Sequence, residues 1–439
     1  MSDIQNVKCP CCDASLSWKP GATKVICEYC GSEFDPSIFD EMKSDFKEND
    51  TWDDVDHEMW SEEEAKGLTV FHCKSCGGEL VADPNTASTF CPYCGSPVVA
   101  MGNLSGGVKP QYVIPFVKTE KEAKDALRGY FKGKIFLPSS FKKSLEIKEA
   151  QGVYVPYWLF DADVDGRVEY KAEKEERYRR GNDEIIKTHY YKIIREGEVG
   201  FDHVPVDAST KMDDAMMESL EPFNYVQDRK EFNTVYLAGF SANKYDVTVD
   251  DAKPRATTRV REGTVNKFAE TIYGYDRCGV SNVQLAIKKS ANEYAFFPTW
   301  LVNTKWKDQI YLFAVNGETG LVKADLPCSV GKMIMWFFIF LLGITALSTA
   351  FGYLAIKGDD PDWTVFYACL IGGVIFGAVA GFVFCHFNKK KLKGFVKQKG
   401  AALYYRDNSM DLRVKKDIYL YTKTRVIHHD PPPSNGKRR

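Results

Sequence analysis

The sequence predicts a multidomain chain: two small cysteine-stapled β modules, an α+β strand-rich soluble domain with an internal duplication, and a two-helix transmembrane hairpin. Three observations carry this reading. Paired CxxC knuckles recur near the N-terminus, strand-like segments fill the middle, and two uncharged apolar runs lie near the C-terminus. With 439 residues, 44% apolar and 27% charged, and a formal net charge of -2, the chain is neither disordered, collagen-like nor a tiny disulfide scaffold.

The first element in order is a repeated metal module. Cys9-Pro-Cys-Cys12 is followed after 14 residues by Cys27-Glu-Tyr-Cys30, and Cys73-Lys-Ser-Cys76 after the same interval by Cys91-Pro-Tyr-Cys94. The second unit is the first displaced by 64 positions, with Leu16 and Leu80, Pro20 and Pro84, Tyr29 and Tyr93, and Ser32 and Ser96 also in register. Two residues between cysteines let a tight turn aim both sulfurs at one ion, and two knuckles on a short hairpin close a tetrahedral shell of four thiolates. The spacing therefore predicts two small β zinc ribbons, at 1–34 and 67–100. One structural Zn2+ is expected on Cys9, Cys12, Cys27 and Cys30, and a second on Cys73, Cys76, Cys91 and Cys94. Iron is the main competitor and a redox CxxC pair comes next. Cys11 reads as a spare thiol beside the first site. Knuckles of this type need reduced sulfur, and the N-terminus shows no secretory leader, so a cytoplasmic setting is expected.

Between the ribbons, residues 35–66 carry 13 acidic and 3 basic side chains, and residues 1–100 carry 19 acidic and 7 basic ones. Such a segment repels a phosphate backbone, which argues against nucleic acid as a partner. The linker is expected to be a solvated acidic tether. Its Trp52, Val55, Met59 and Trp60 suggest the alternative of a docking segment.

Residues 108–330 predict the α+β cytoplasmic domain. Thr119-Glu-Lys-Glu122 reads as a capping box opening a helix. Strands follow over 152–160 and 164–170, then a long hairpin turning near Gly181-Asn182-Asp183 and returning through 185–206. Helices are expected around 211–221 and 251–272, and a terminal antiparallel set over 294–324. Tyr154-Val-Pro-Tyr-Trp-Leu-Phe160 echoes Phe296-Phe-Pro-Thr-Trp-Leu-Val302, which suggests two related half-domains, each placing a Trp in the core or at a shared seam. No phosphate-binding loop, H-E-x-x-H or G-x-S-x-G motif is present, so an enzyme is not expected.

Residues 333–356 and 363–387 are long enough to cross a bilayer as helices, and six residues between them force a hairpin. That connection carries three Asp and one Lys, whereas Lys332 and the run Lys389-Lys-Lys391 with Lys393, Lys397 and Lys399 lie on the other side. The positive-inside rule places both termini in the cytoplasm. Gly373, Gly377 and Gly381 form a small-residue ridge that would pack within the hairpin or between copies in an oligomer, and packing within the chain is favoured. Residues 388–439 read as a basic cytoplasmic tail whose lysines can rest on anionic lipid heads. Within it 417–427 alternates like a strand, and 431–439 reads as disordered.

These ribbons, with Gly152-Val-Tyr-Val-Pro-Tyr-Trp158, Tyr236-Leu-Ala-Gly-Phe240 and Ala314-Val-Asn-Gly-Glu-Thr-Gly320 ahead of paired spans, resemble a bacterial family of zinc-ribbon membrane proteins. Its members often carry labels such as transcription-factor-IIB-type zinc ribbon or primosomal-helicase-like protein. The resemblance implies an anchor at the bacterial inner membrane that recruits SPFH-domain or phage-shock-type proteins during envelope stress. The expected function is thus a membrane-anchored adaptor, with a membrane-tethered nucleic-acid-associated factor as the alternative.

Overall fold

The computed structural model describes residues 8–12, 14–18, 21–42, 46–83, 90–104, 106–144, 150–307, 309–356, 363–395 and 400–428. Ribbon 1 holds strands β1 (Val25–Ile26) and β2 (Glu33–Phe34), followed by α1 (Ser37–Met42). After α2 (Glu62–Lys66), ribbon 2 supplies β3 (Thr69–His72), β4 (Glu79–Ala82) and β5 (Val99–Asn103). The middle domain begins β6 (Tyr112–Val113), α3 (Glu120–Tyr130), α4 (Ser139–Ser144), β7 (Gln151–Arg180) and β8 (Asp183–Asp207). It continues α5 (Asp214–Ser219), α6 (Tyr225–Asp228), β9 (Lys230–Glu231), β10 (Ser241–Asn243), α7 (Val249–Ala269), β11 (Arg277–Trp306), β12 (Gln309–Asn316) and β13 (Val322–Ala324). Two long helices, α8 (Val330–Ala355) and α9 (Trp363–Lys390), precede a last strand, β14 (Asp411–His428).

The echoed Pro-x-Trp-Leu segments lie side by side. β7 and β11 are antiparallel, and Pro156 faces Phe296 while Pro298 faces Tyr154. Around this pair the two halves repeat one plan: short strand, Thr-capped helix, long strand, return strand. β6, α3, β7 and β8 form one half; β10, α7, β11 and β12 form the other. Each short strand runs parallel to the long strand of the opposite half, β6 on Ala295 and Phe296, β10 on Val153 and Tyr154. The caps correspond too, since Thr119 accepts from the Glu122 amide and Thr248 from the Asp251 amide. Trp158 Nε1 donates to the Val247 carbonyl at 2.9 Å, and Trp300 Nε1 to the Lys118 carbonyl at 2.8 Å. Each buried indole thus ties its strand to the residue just before the other half's helix cap, which satisfies the N–H that burial would leave costly. Both tryptophans lie in core at the seam between the halves.

Ribbon 2 is part of this sheet. β4 pairs with β10, so the order β13-β12-β11-β7-β10-β4-β3-β5 is continuous, and the domain that sequence begins at 108 structurally includes 67–100. The expected tether at 35–66 is also corrected, because apolar side chains in it find burial against the middle domain. Trp52 is buried with its Nε1 donating to Thr257 Oγ1 at 2.9 Å, His57 Nε2 lies 2.7 Å from Asn292 Oδ1, and Trp60 packs edge-on against Phe232. The cost of ordering this acidic strap is offset by apolar area removed from water. The tail differs from a plain basic extension in the same way: β14 pairs with β8 over 411–428. Before it, Tyr404 donates to Glu221 Oε2 at 2.7 Å, where Glu221 also takes a bidentate, buried bond from Arg259.

The long helices α8 and α9 pack against each other. Gly373, Gly377 and Gly381 are buried on α8, and a Cβ added at Gly377 would lie 2.9 Å from the Leu341 carbonyl. The ridge is therefore occupied within the chain, as close backbone approach in lipid requires. Ser348 Oγ adds a bond to the Cys369 carbonyl at 2.7 Å. Both helices are long and apolar enough to cross a membrane. Pro20, Pro84, Lys397 and Lys399, the connection 357–362 and the tail 431–439 lie outside the described residues.

Candidate metal centres

Each cysteine cluster assembles from local backbone rules. In ribbon 1 the Cys9 amide donates to the Ala14 carbonyl and the Cys27 amide to that of Ser32, at 2.8 and 2.9 Å. The same bonds recur in ribbon 2, from Cys73 to Gly78 and from Cys91 to Ser96, at 2.9 and 2.8 Å. Gly31, Gly77 and Gly95 close the turns with φ near +70°, a conformation that a Cβ would penalise.

The result is two groups of four sulfurs, Cys9, Cys12, Cys27, Cys30 and Cys73, Cys76, Cys91, Cys94, with all ligand atoms in each within 4.8 Å of one another. Opposite sulfurs approach to 3.6 Å for Cys9–Cys30 and Cys12–Cys27, and to 3.5 and 3.6 Å for Cys73–Cys94 and Cys76–Cys91. A tetrahedral ion with metal–sulfur bonds of about 2.3 Å has edges of roughly 3.8 Å, so each group can hold one thiophilic metal ion. Cys12 rather than Cys11 completes the first group. Cys11 stands beside it near Ser32 and Tyr421, where burial pushes its thiol up.

Electrostatics within the groups are uneven. Burial pushes the Cys9 thiol up to about 11. At Cys94 burial also acts upward, but the Ser96 hydroxyl and amide and the Cys73 and Cys76 sulfurs outweigh it and bring the thiol down to about 7. A bound cation favours the thiolate at every position, so metal uptake releases protons and weakens in acid.

The two centres differ in setting. Ribbon 2 is held by a side chain far away in sequence, Asn303 of β11, whose Nδ2 donates to the carbonyls of Cys91 and Pro92 at 3.4 and 3.0 Å. Ribbon 1 instead rests on β8 and β14, where Cys9, Phe34 and Ile38 share a buried cluster with Ile194, Ile418 and Leu420. Sequence reading missed Asn303 and the β14 platform. The alternation of 417–427 was the one available signal for the second, and nothing in the sequence pairs Asn303 with a knuckle.

No family model matches the chain, and no solved structure matches it. The "Uncharacterized protein YdjG" of Bacillus subtilis (strain 168) is 31% identical to it over 334 residues, a stretch that covers 76% of this chain and 93% of that protein. A match of that extent takes in nearly the whole of the relative, and the chain belongs to the same family as YdjG.

Proposed function

We propose that the protein is a non-enzymatic adaptor fixed at the cytoplasmic face of the bacterial inner membrane, with a structural Zn2+ in each four-cysteine group, where it holds partner proteins near the bilayer. The observation that carries the reading is the combination of two four-sulfur groups with a pair of long apolar helices. Four protein thiolates leave no open coordination position, the arrangement of structural zinc. Leu342, Leu347, Phe351, Phe376 and Phe382 stand exposed on α8 and α9, a surface that water disfavours and acyl chains accept. Charge supports proteins as partners over nucleic acid, given 19 acidic and 7 basic groups in residues 1–100. SPFH-domain and phage-shock-type proteins are the partners that the family resemblance suggests.

The test is fractionation of cells expressing the full chain, with protease added to vesicles of known orientation and metal measured in the purified protein. Expected are retention in the membrane after alkaline washing, digestion of the ribbons only when the cytoplasmic face is accessible, and about two zinc ions per chain. Release by the wash, or ribbons cleaved from outside, would overturn the adaptor. Salt-sensitive retention of DNA by the purified protein would instead favour the nucleic-acid alternative.

A further inference from the structure

The two ribbons are copies, yet one residue has opposite fates in them. Tyr93, at the tip of ribbon 2's second knuckle, is 7% exposed, whereas Tyr29, at the same place in ribbon 1, is 83% exposed. Cys30 and Gly31 beside it are exposed as well, while Pro92 is buried and Cys94 and Gly95 are half-buried. Tyr93 sits in a seat made by the chain's own sheet. Ile114, Val153 and Met212 belong to the same buried cluster, and Asn303 grips the knuckle carbonyls. Ribbon 1 meets the body through Cys9, Cys27, Phe34 and Ile38, and Cys30 and Gly31 border a groove along Tyr419 to Lys423 of β14, while Tyr29 does not line it.

A Cβ at Gly78 would come within 3.3 Å of the Tyr93 ring, and the equivalent position in ribbon 1 is Ala14, which carries that Cβ. At the same place in ribbon 1 a ring lying as Tyr93 does would have to give by a few tenths of an ångström. A tyrosine with two side-chain torsions on a turn clamped by metal ligands loses little freedom on docking, which makes it a good anchor.

We propose that the Cys27–Gly31 knuckle of ribbon 1, with Tyr29 as its anchor, docks on a partner protein whose seat resembles the one that ribbon 2 occupies here: an apolar sheet face with a side-chain carboxamide beside it. The inference deepens the adaptor reading and rests on it. The intramolecular precedent states the chemistry of the occupant, and it excludes a second copy as the donor of that seat, because ribbon 2 fills it in every copy. Glu28 and Asp35 border the knuckle while Glu33 is paired with Lys24 at 3.3 Å, and a divalent ion on four thiolates would add two negative charges, so the rim of the seat is neutral to basic.

The test uses the full chain in its membrane, with a benzophenone amino acid replacing Tyr29 for photo-crosslinking in cells. It is paired with copurification in mild detergent of the unaltered protein, Tyr29→Ala, Tyr29→Phe, Ala14→Gly and, as an exposed control, Tyr273→Ala. Expected is a discrete adduct to another protein. That protein is retained by Tyr29→Phe and Tyr273→Ala and reduced at least about 10-fold by Tyr29→Ala, the loss typical of an interface anchor. Ala14→Gly removes the Cβ but keeps the tyrosine, and it is expected to retain that protein as well. Metal content equal to that of the unaltered protein shows that ribbon 1 remains folded in each variant. Retention of the partner by Tyr29→Ala, or an adduct only within the chain or to a second copy, overturns the docking site and leaves the adaptor standing. If no protein is retained by any form, the adaptor reading falls with it.

Discussion

Asp207 shows how a side chain can be placed against its own ionisation. Its carboxylate is 2% exposed, and the guanidinium beside it, that of Arg255 at 2.9 Å, is shared with Asp214 and Glu218 at 3.0 and 3.1 Å. Burial, which Arg255 only partly offsets and Asp214 reinforces, pushes Asp207 up to about 6. A folded-state value above the unfolded one means that the group's contribution to stability is whole below about pH 4 and is lost as the pH rises through 6. Asp207→Asn is therefore expected to gain stability relative to the unaltered protein between pH 4 and pH 7, by up to about 3 kcal/mol. Thermal melts of both proteins in mild detergent across that range check this, and parallel curves would refute it.

At the scale of elements, α8 and α9 depend on backbone contact more than on side-chain fit. Gly377 lies under the Leu341 carbonyl, so Gly377→Leu must force the helices apart and also separate Ser348 from the Cys369 carbonyl. Because lipid offers no hydrophobic drive to bring the helices together, the lost packing is not recovered elsewhere. The variant is expected still to insert but to melt at lower temperature, whereas leucine at Gly372, where an added Cβ meets nothing within 4 Å, should change little. Equal melting of the two variants would show that the ridge contributes nothing. The cap of α3 is a contrasting case, since Thr119 acts within a few residues and is legible as sequence, whereas Thr248 of α7 emerges only in the fold.

Across the whole molecule, the two metal centres are coupled to different parts of the sheet. Opening the ribbon 2 cysteine group would free β3 and β4, and β4 pairs with β10, which lies on β7. Opening the ribbon 1 cysteine group would release a module that rests on the β8 and β14 surface. Hydrogen exchange in the full chain should therefore show faster exchange at 241–243 and 153–154 for Cys73→Ser with Cys76→Ser. Cys27→Ser with Cys30→Ser should leave those amides protected and affect 190–194 and 418–421 instead. Identical maps for the two variants would sink this division. It also means that a partner lost from the ribbon 2 variant is ambiguous, and that ribbon 1 is the cleaner place to test docking.

What rests on near neighbours is legible in the chain alone: the two four-cysteine groups, the Thr119 capping box, the turn at 181–183, the two long apolar runs and the echo of the Trp segments. Short spacings fix these, because a knuckle, a cap or a spanning helix is decided within a few turns of chain. Packing across the fold sets the rest: the echoed strands face each other, the acidic strap and β14 lie on the body, and Tyr93 is buried while Tyr29 is not. Those outcomes depend on surfaces brought together across long stretches of chain, Asn303 against Pro92 among them, and no local pattern encodes which surface a buried side chain will meet.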